Sequence, residues 1–153
     1  MKPYKNYILV LFVLSILSCE IIDDVLTEKN EFSIVPSSSF GRDNYILGTV
    51  YVESRKVTLS IWDHGQIDGD IVSIYINDNL IIDNWELSGS NNKFTVDVEL
   101  DYRGYNYILL YAHNEGDIPP NTVSISIDDG VTMDDFILES NLESNGTIDL
   151  VVE

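Results

Sequence analysis

From Tyr45 to the C-terminus, apolar side chains recur at every second position, and this constrains the chain more than any other feature of it. A period of two sends alternate side chains to opposite faces of an extended strand, whereas a helix needs 3.6. Val57, Leu59 and Ile61 alternate with Thr58, Ser60 and Trp62, and Val72, Ile74 and Ile76 alternate with Ser73 and Tyr75. Phe94, Val96, Val98 and Leu100 alternate with Thr95, Asp97 and Glu99, which predicts a half-buried strand. Val123, Ile125 and Ile127 repeat the pattern, and Met133–Leu138 and Thr147–Val152 supply closing strands. Tyr105–His113 is nearly all apolar or aromatic and predicts a central strand covered on both faces.

Turn residues separate these runs: Asn77-Asp78-Asn79, Ser88–Asn92, Arg103-Gly104, Pro119-Pro120 and Asp129-Gly130. Asp129-Gly130 has the composition of a two-residue hairpin. No stretch carries an amphipathic helix or an internal repeat. The expected fold class is all-β: an antiparallel β-sandwich, immunoglobulin-like or jelly-roll-like, of about 8 strands at spacings of roughly 8–14 residues.

The first residues have a different character. Lys2 and Lys5 precede an apolar run, Tyr7–Leu17, broken only by Ser15. Eleven residues are too few to cross a bilayer core, which takes about 20, and a charged start before a short apolar run reads as a secretory signal. Ile16-Leu17-Ser18-Cys19 resembles the lipobox of bacterial lipoproteins. That resemblance implies diacylglyceryl transfer to the Cys19 thiol, cleavage before it, and anchoring in the membrane through the lipid. A buried cysteine in an N-terminal helix is the competing reading.

The expected organisation is therefore a signal peptide over 1–18, a flexible acidic tether over 19–44, and a β-sandwich domain over 45–153. Ser37-Ser38-Ser39 and Gly41 mark the tether as loop.

Composition narrows the partners. The 153 residues hold 26 Asp and Glu, 8 Lys and Arg, 2 His and a single Cys, for a net charge of −18. Cleavage before Cys19 removes two lysines and no acid, which leaves 6 basic residues against 26 acidic ones and a charge of −20. Such a balance excludes nucleic acid, which needs a basic patch, and docking on anionic lipid by surface charge. One Cys excludes an internal disulfide and a cysteine-held structural zinc.

Two loops carry the chemistry. The first is Asp63-His64-Gly65-Gln66-Ile67-Asp68-Gly69-Asp70, and the second is Ala112-His113-Asn114-Glu115-Gly116-Asp117-Ile118-Pro119-Pro120-Asn121-Thr122. Together they resemble a small secreted β-domain of the Bacteroidetes, with the pattern D-x-G-x-x-D-G-D and later A-x-N-x-G-x-I-P-P-N-T. Asp23-Asp24 after Cys19 resembles the acidic stretch that follows the lipidated Cys in some surface-exported lipoproteins of that group. The resemblance covers about Val57 to Val152 and implies a fold and an envelope location rather than an activity. His64 and Glu115 stand where Asn and an apolar residue are commoner.

Two readings of the first loop stand side by side. Asp68 and Asp70 can accept backbone N–H bonds in a tight reversal at Gly69, as turn residues do. Alternatively Asp63, Asp68 and Asp70 offer three hard carboxylates to Ca²⁺, with Asn114 or Asp117 adding ligands if the two loops meet. The spacing is not that of an EF-hand. No nucleophile elbow, P-loop or dinucleotide fingerprint is present, and neither His64 nor His113 sits in a catalytic motif. Trp62 and Trp85 are candidate ligand-binding residues if their rings face out, and core-closing residues if they do not. The functional expectation is a non-enzymatic, envelope-anchored lipoprotein of the outer membrane, a structural or interaction module. The alternative is a cell-surface module that binds glycan or peptide.

Overall fold

Every second side chain of the long strands points into one shared core. The protein is described by a computed structural model over residues 33–153. The signal segment, Cys19 and residues 19–32 of the expected tether lie outside the described residues.

Among the described residues ten strands follow in chain order: β1 Ser38–Ser39, β2 Arg42–Val52, β3 Lys56–Asp63, β4 Ile71–Ile76, β5 Asn79–Glu86, β6 Phe94–Glu99, β7 Gly104–Ala112, β8 Asn121–Asp128, β9 Met133–Ser140 and β10 Ser144–Val152. They form a six-stranded sheet, β1-β2-β10-β7-β4-β5, and a four-stranded sheet, β6-β3-β8-β9. The fold is an all-β sandwich. Val50, Val52, Val72, Ile74, Ile76, Ile82, Ile108, Leu110, Ile148 and Leu150 of the larger sheet bury against Val57, Leu59, Ile61, Val123, Ile125, Ile127 and Leu138 of the smaller. Each such side chain contributes about 1.5–3 kcal/mol by leaving water.

The pairings are antiparallel except one. β10 runs parallel to β2, with a register shift between Thr147 and Ile148. β7, between β10 and β4, is covered on both faces as its composition predicts: Ile108 and Leu110 face the core, and Tyr107 and Leu109 are buried on the other side.

Several expectations are corrected. The sheet begins before Tyr45, because β2 starts at Arg42 and Ser38–Ser39 pairs with it. Asn44 holds this hairpin through Pro36 O and Ser39 Oγ, both at 2.9 Å. Asp129-Gly130 lies in a four-residue connection rather than a two-residue one, since Asp128 pairs with Met133. The carboxylate of Asp129 organises that loop by accepting the amides of Glu53, Val131 and Thr132. The two-residue hairpin is Asn77-Asp78, both residues with positive φ, between paired Ile76 and Asn79. β5 shows no clean alternation in sequence because Asn84 takes φ 47° and the β4–β5 register shifts. β6, by contrast, is the half-buried strand its alternation predicts, and as an edge strand it leaves Phe94, Val96 and Val98 only partly buried.

Candidate functional site

The two loops meet at one end of the sandwich. Asp63 is the last residue of β3, and alternation with Leu59 and Ile61 turns it inward. Its backbone is gripped on both sides, with Asp63 N donating to Ser88 O and His64 N to Thr122 O, both at 2.9 Å. Asp68 and Asp70 flank Gly69, whose φ of 90° reverses the chain. The second loop closes over them through Ile118 N to Asp68 Oδ2 at 2.8 Å, Thr122 N to Asp70 Oδ2 at 3.3 Å, and Asp117 N to Asp68 O at 3.2 Å. The carboxylates of Asp68 and Asp70 thus accept amides from the partner loop, while that of Asp63 accepts the backbone amide of Asp68 in its own loop.

Asn114 is the clasp between the loops. Its Oδ1 accepts the amide of Ile71 and its Nδ2 donates to Gly69 O, both at 2.7 Å. With both ends of the amide engaged, Asn114 is a loop-holding residue rather than the ligand its sequence position suggested. Asp117 is exposed.

What remains is a cluster of three. One oxygen from each of Asp63, Asp68 and Asp70 lies within 4.8 Å of the others. Asp63 is 5% exposed and Asp70 2%. Asp63 Oδ2, Asp68 Oδ1 and Asp70 Oδ1 are buried without a hydrogen-bond partner among the described residues. Burial raises the pKa of Asp63 and of Asp70, and the neighbouring Asp68 charge raises both further. Asp70 is pushed up to about 6. The cluster opens on a recess of about 70 Å³ lined also by His64, Gln66, Ile118, Pro120 and Thr122. Asn121 is fully buried at the start of β8, and both polar atoms of its side chain lack partners. The amide of the next residue, Thr122, goes to Asp70 Oδ2.

The tryptophans do not form one surface. Trp62 lies on the outer side of the four-stranded sheet, where the Lys93 ammonium stands 3.7 Å from its ring centroid. Trp85 belongs to β5 of the other sheet and packs against Phe94, ring centroids 4.6 Å apart. That contact closes the open side between edge strands β5 and β6, while leaving Trp85 39% exposed.

The aromatic surface lies elsewhere. Tyr51, Tyr75, Tyr105 and Tyr111 fall on the outer face of the six-stranded sheet, each flanked along its strand by an inward residue. Phe40, in the β1–β2 turn, adds its ring to Tyr75 at 4.8 Å and Tyr111 at 5.2 Å. The Arg42 guanidinium lies 4.0 Å from the Tyr111 ring centroid. No single sequence run showed this group, because its members come from β2, β4, β7 and a turn.

Both histidines are occupied. His64 Nδ1 shares a hydrogen bond with Ser124 Oγ at 2.9 Å, and His113 Nε2 with Ser73 Oγ at 2.8 Å. Ser73 is fully buried, accepts the amide of Asn84 and donates to Asp83, so this group pins the β5 bulge. The acid sits on the serine rather than behind the imidazole, unlike a hydrolytic triad. A larger recess, about 520 Å³, runs past Lys56, Thr58, Asp97 and Asp128. Its Asp97 is exposed and already accepts from Thr58 Oγ1 at 2.7 Å.

No protein-family model, no curated protein and no solved structure matches the chain.

Proposed function

We propose that the chain is a non-enzymatic interaction module, held at the bacterial envelope by lipid on Cys19, that meets its partner through the outer face of the six-stranded sheet. The observation that carries this reading is the gathering of Phe40, Tyr51, Tyr75, Tyr105 and Tyr111 on that face. Tyrosine suits a binding surface because it offers a large, rigid apolar body with a polar tip at low entropic cost. Phe40 and Tyr51 are 55% and 58% exposed. The adjoining strand β2 is free of charge from Asn44 to Val52 in a chain of 26 acids. Among the described residues that strand is a sheet edge beyond its short pairing with β1, and open backbone of this kind accepts extended peptides. The anchor is supported by Lys2, Lys5, the apolar run and Ile16-Leu17-Ser18-Cys19.

A second reading, glycan binding, is favoured by one observation: the Phe40, Tyr75 and Tyr111 rings stand together beside the Arg42 guanidinium. Flat rings suit sugar faces and the guanidinium suits hydroxyls or carboxylates.

Cells labelled with an alkyne fatty acid test the anchor, with label expected on the wild type and lost in Cys19→Ala. A photo-crosslinking residue at Tyr51 tests the face, against a control at Thr95 on the exposed surface of the four-stranded sheet. Cross-links at 51 and none at 95 support the module; equal yields at the two sites argue against this face. Retardation in polysaccharide gels that is lost in Phe40→Ser would favour the glycan reading.

A further inference from the structure

We propose that Asp63, Asp68 and Asp70 form a Ca²⁺ site that ties the loop 63–70 to the loop 112–122. Acid clusters are common in a chain of this charge, and two observations separate this one. The first is burial without partners. Asp63 and Asp70 are at least nine-tenths buried, each carries an unpartnered oxygen, and one oxygen of each lies within 4.8 Å of an oxygen of Asp68. Ionised oxygens removed from water need a donor, a proton or a cation, and several kcal/mol is forfeited without one. The nearby amides of Ile118 and Thr122 are spent on the opposite oxygens, Asp68 Oδ2 and Asp70 Oδ2. The unpartnered oxygens of Asp68 and Asp70, Oδ1 in both, lie together against Gly116 of the second loop.

The second is fit. Oxygens bound to Ca²⁺ at about 2.3–2.6 Å stand up to about 5 Å apart across the ion, whereas Mg²⁺ at about 2.0–2.1 Å draws opposite ligands to about 4 Å. Three oxygens within 4.8 Å of one another fall inside the span that a single Ca²⁺ ion bridges. All three donors are hard carboxylates, the set that suits Ca²⁺ over softer transition metals. The recess beside Gln66, Pro120 and Thr122 leaves room for water to complete a shell of six to eight oxygens. Three negative charges that oppose loop closure then become its reason.

The competing resolution is a proton shared between Asp68 and Asp70. The full-length chain, stripped with EDTA and dialysed at pH 7.5, separates the two. Melting is followed with Ca²⁺ or Mg²⁺ at matched ionic strength, and binding by titration calorimetry with CaCl₂. At a hundredfold excess over Kd, Ca²⁺ is expected to raise Tm by about 5–10 °C, well beyond Mg²⁺, with one ion per chain. Asp70→Asn and Asp68→Asn should each abolish that increment, while Asp97→Asn, an exposed acid, retains it. In EDTA, Asp70→Asn should melt at or above the wild type, because an unpartnered buried charge is gone. Equal shifts with Ca²⁺ and Mg²⁺, or an increment that survives Asp70→Asn and Asp68→Asn, would overturn the site. So would an Asp70→Asn protein that melts lower in EDTA with no Ca²⁺ increment in the wild type, the signature of a plain turn.

Discussion

A Cβ built on Gly116 would stand 2.6 Å from Asp70 Oδ1 and 2.8 Å from Asp68 Oδ1. The second loop closes over the carboxylates at a distance that only glycine tolerates. Gly116 also has φ 53°, a conformation in which a side chain costs about 1–2 kcal/mol. Gly116→Ala is therefore expected to cost about 2–4 kcal/mol, from that strain and from overpacking against rigid loop carboxylates. Gly69→Ala, at φ 90° but with nothing within 4 Å, should cost only the conformational part, about 1–2 kcal/mol. Paired denaturant titrations of the two variants check the difference.

The stability of the metal-free protein should depend on pH in a specific direction. Asp70 is raised from 3.8 to about 6, chiefly by burial and then by Asp68. Between those values the folded protein keeps a proton that the unfolded chain has released, so stability falls as pH rises through the window. Asp63 is raised for the same reasons and acts in the same sense. Asp129 acts oppositely: its backbone donors, Thr132 first, hold its pKa down, so its contribution is present above the unfolded value and is lost as pH falls through the folded one. In EDTA, Tm should rise from pH 7 to about 5 and fall again below about 4. Asp70→Asn should flatten the neutral limb. A Tm that is highest at pH 7 would contradict the raised values.

Arg42 joins three parts of the chain. Its Nη1 donates to Ala112 O at 2.8 Å and Asn141 O at 2.9 Å, and its Nη2 to Tyr111 Oη at 3.1 Å. Arg42→Ala should cost about 2–3 kcal/mol, since charged donors to carbonyls are the stronger kind. Arg42→Lys should recover little, because an ammonium lacks the planar fork. A fragment that starts at Tyr45 should show a loss at least as large against one that starts at Ser33, measured as the shift of the urea midpoint.

Core position decides the cost of a buried charge. Leu59 is fully buried in β3 between β6 and β8. Leu59→Ala should cost about 2–5 kcal/mol, and Leu59→Asp should leave no cooperative melt in circular dichroism. Val96→Asp, on edge strand β6, should weaken the fold without abolishing it, because the carboxylate can turn to water. Asp97→Asn keeps an acceptor for Thr58 and should change stability by no more than about 0.5 kcal/mol.

Much of the architecture was legible because side-chain alternation is local. Val57, Leu59 and Ile61, or Val123, Ile125 and Ile127, declare which face is buried without reference to any other strand. The composition of Tyr105–His113 announced a strand covered on both sides, and Asp63, Asp68 and Asp70 stood out as three carboxylates within eight residues. β5 was hidden because left-handed Asn84 breaks its period, and β1 because two residues carry no pattern.

What the tertiary structure decided is which strands meet. Nothing in Arg42–Val52 or Ser144–Val152 announces a parallel pair, since parallel pairing joins segments a hundred residues apart and leaves each one's alternation unchanged. The same long-range pairing placed Trp62 and Trp85 on different sheets and gathered Phe40, Tyr51, Tyr75, Tyr105 and Tyr111 on one face. It also engaged Asn114 as a clasp and left the oxygens of the three aspartates facing one another. Residue type is a property of the chain, but burial and the supply of hydrogen-bond donors belong to the space that other segments enclose.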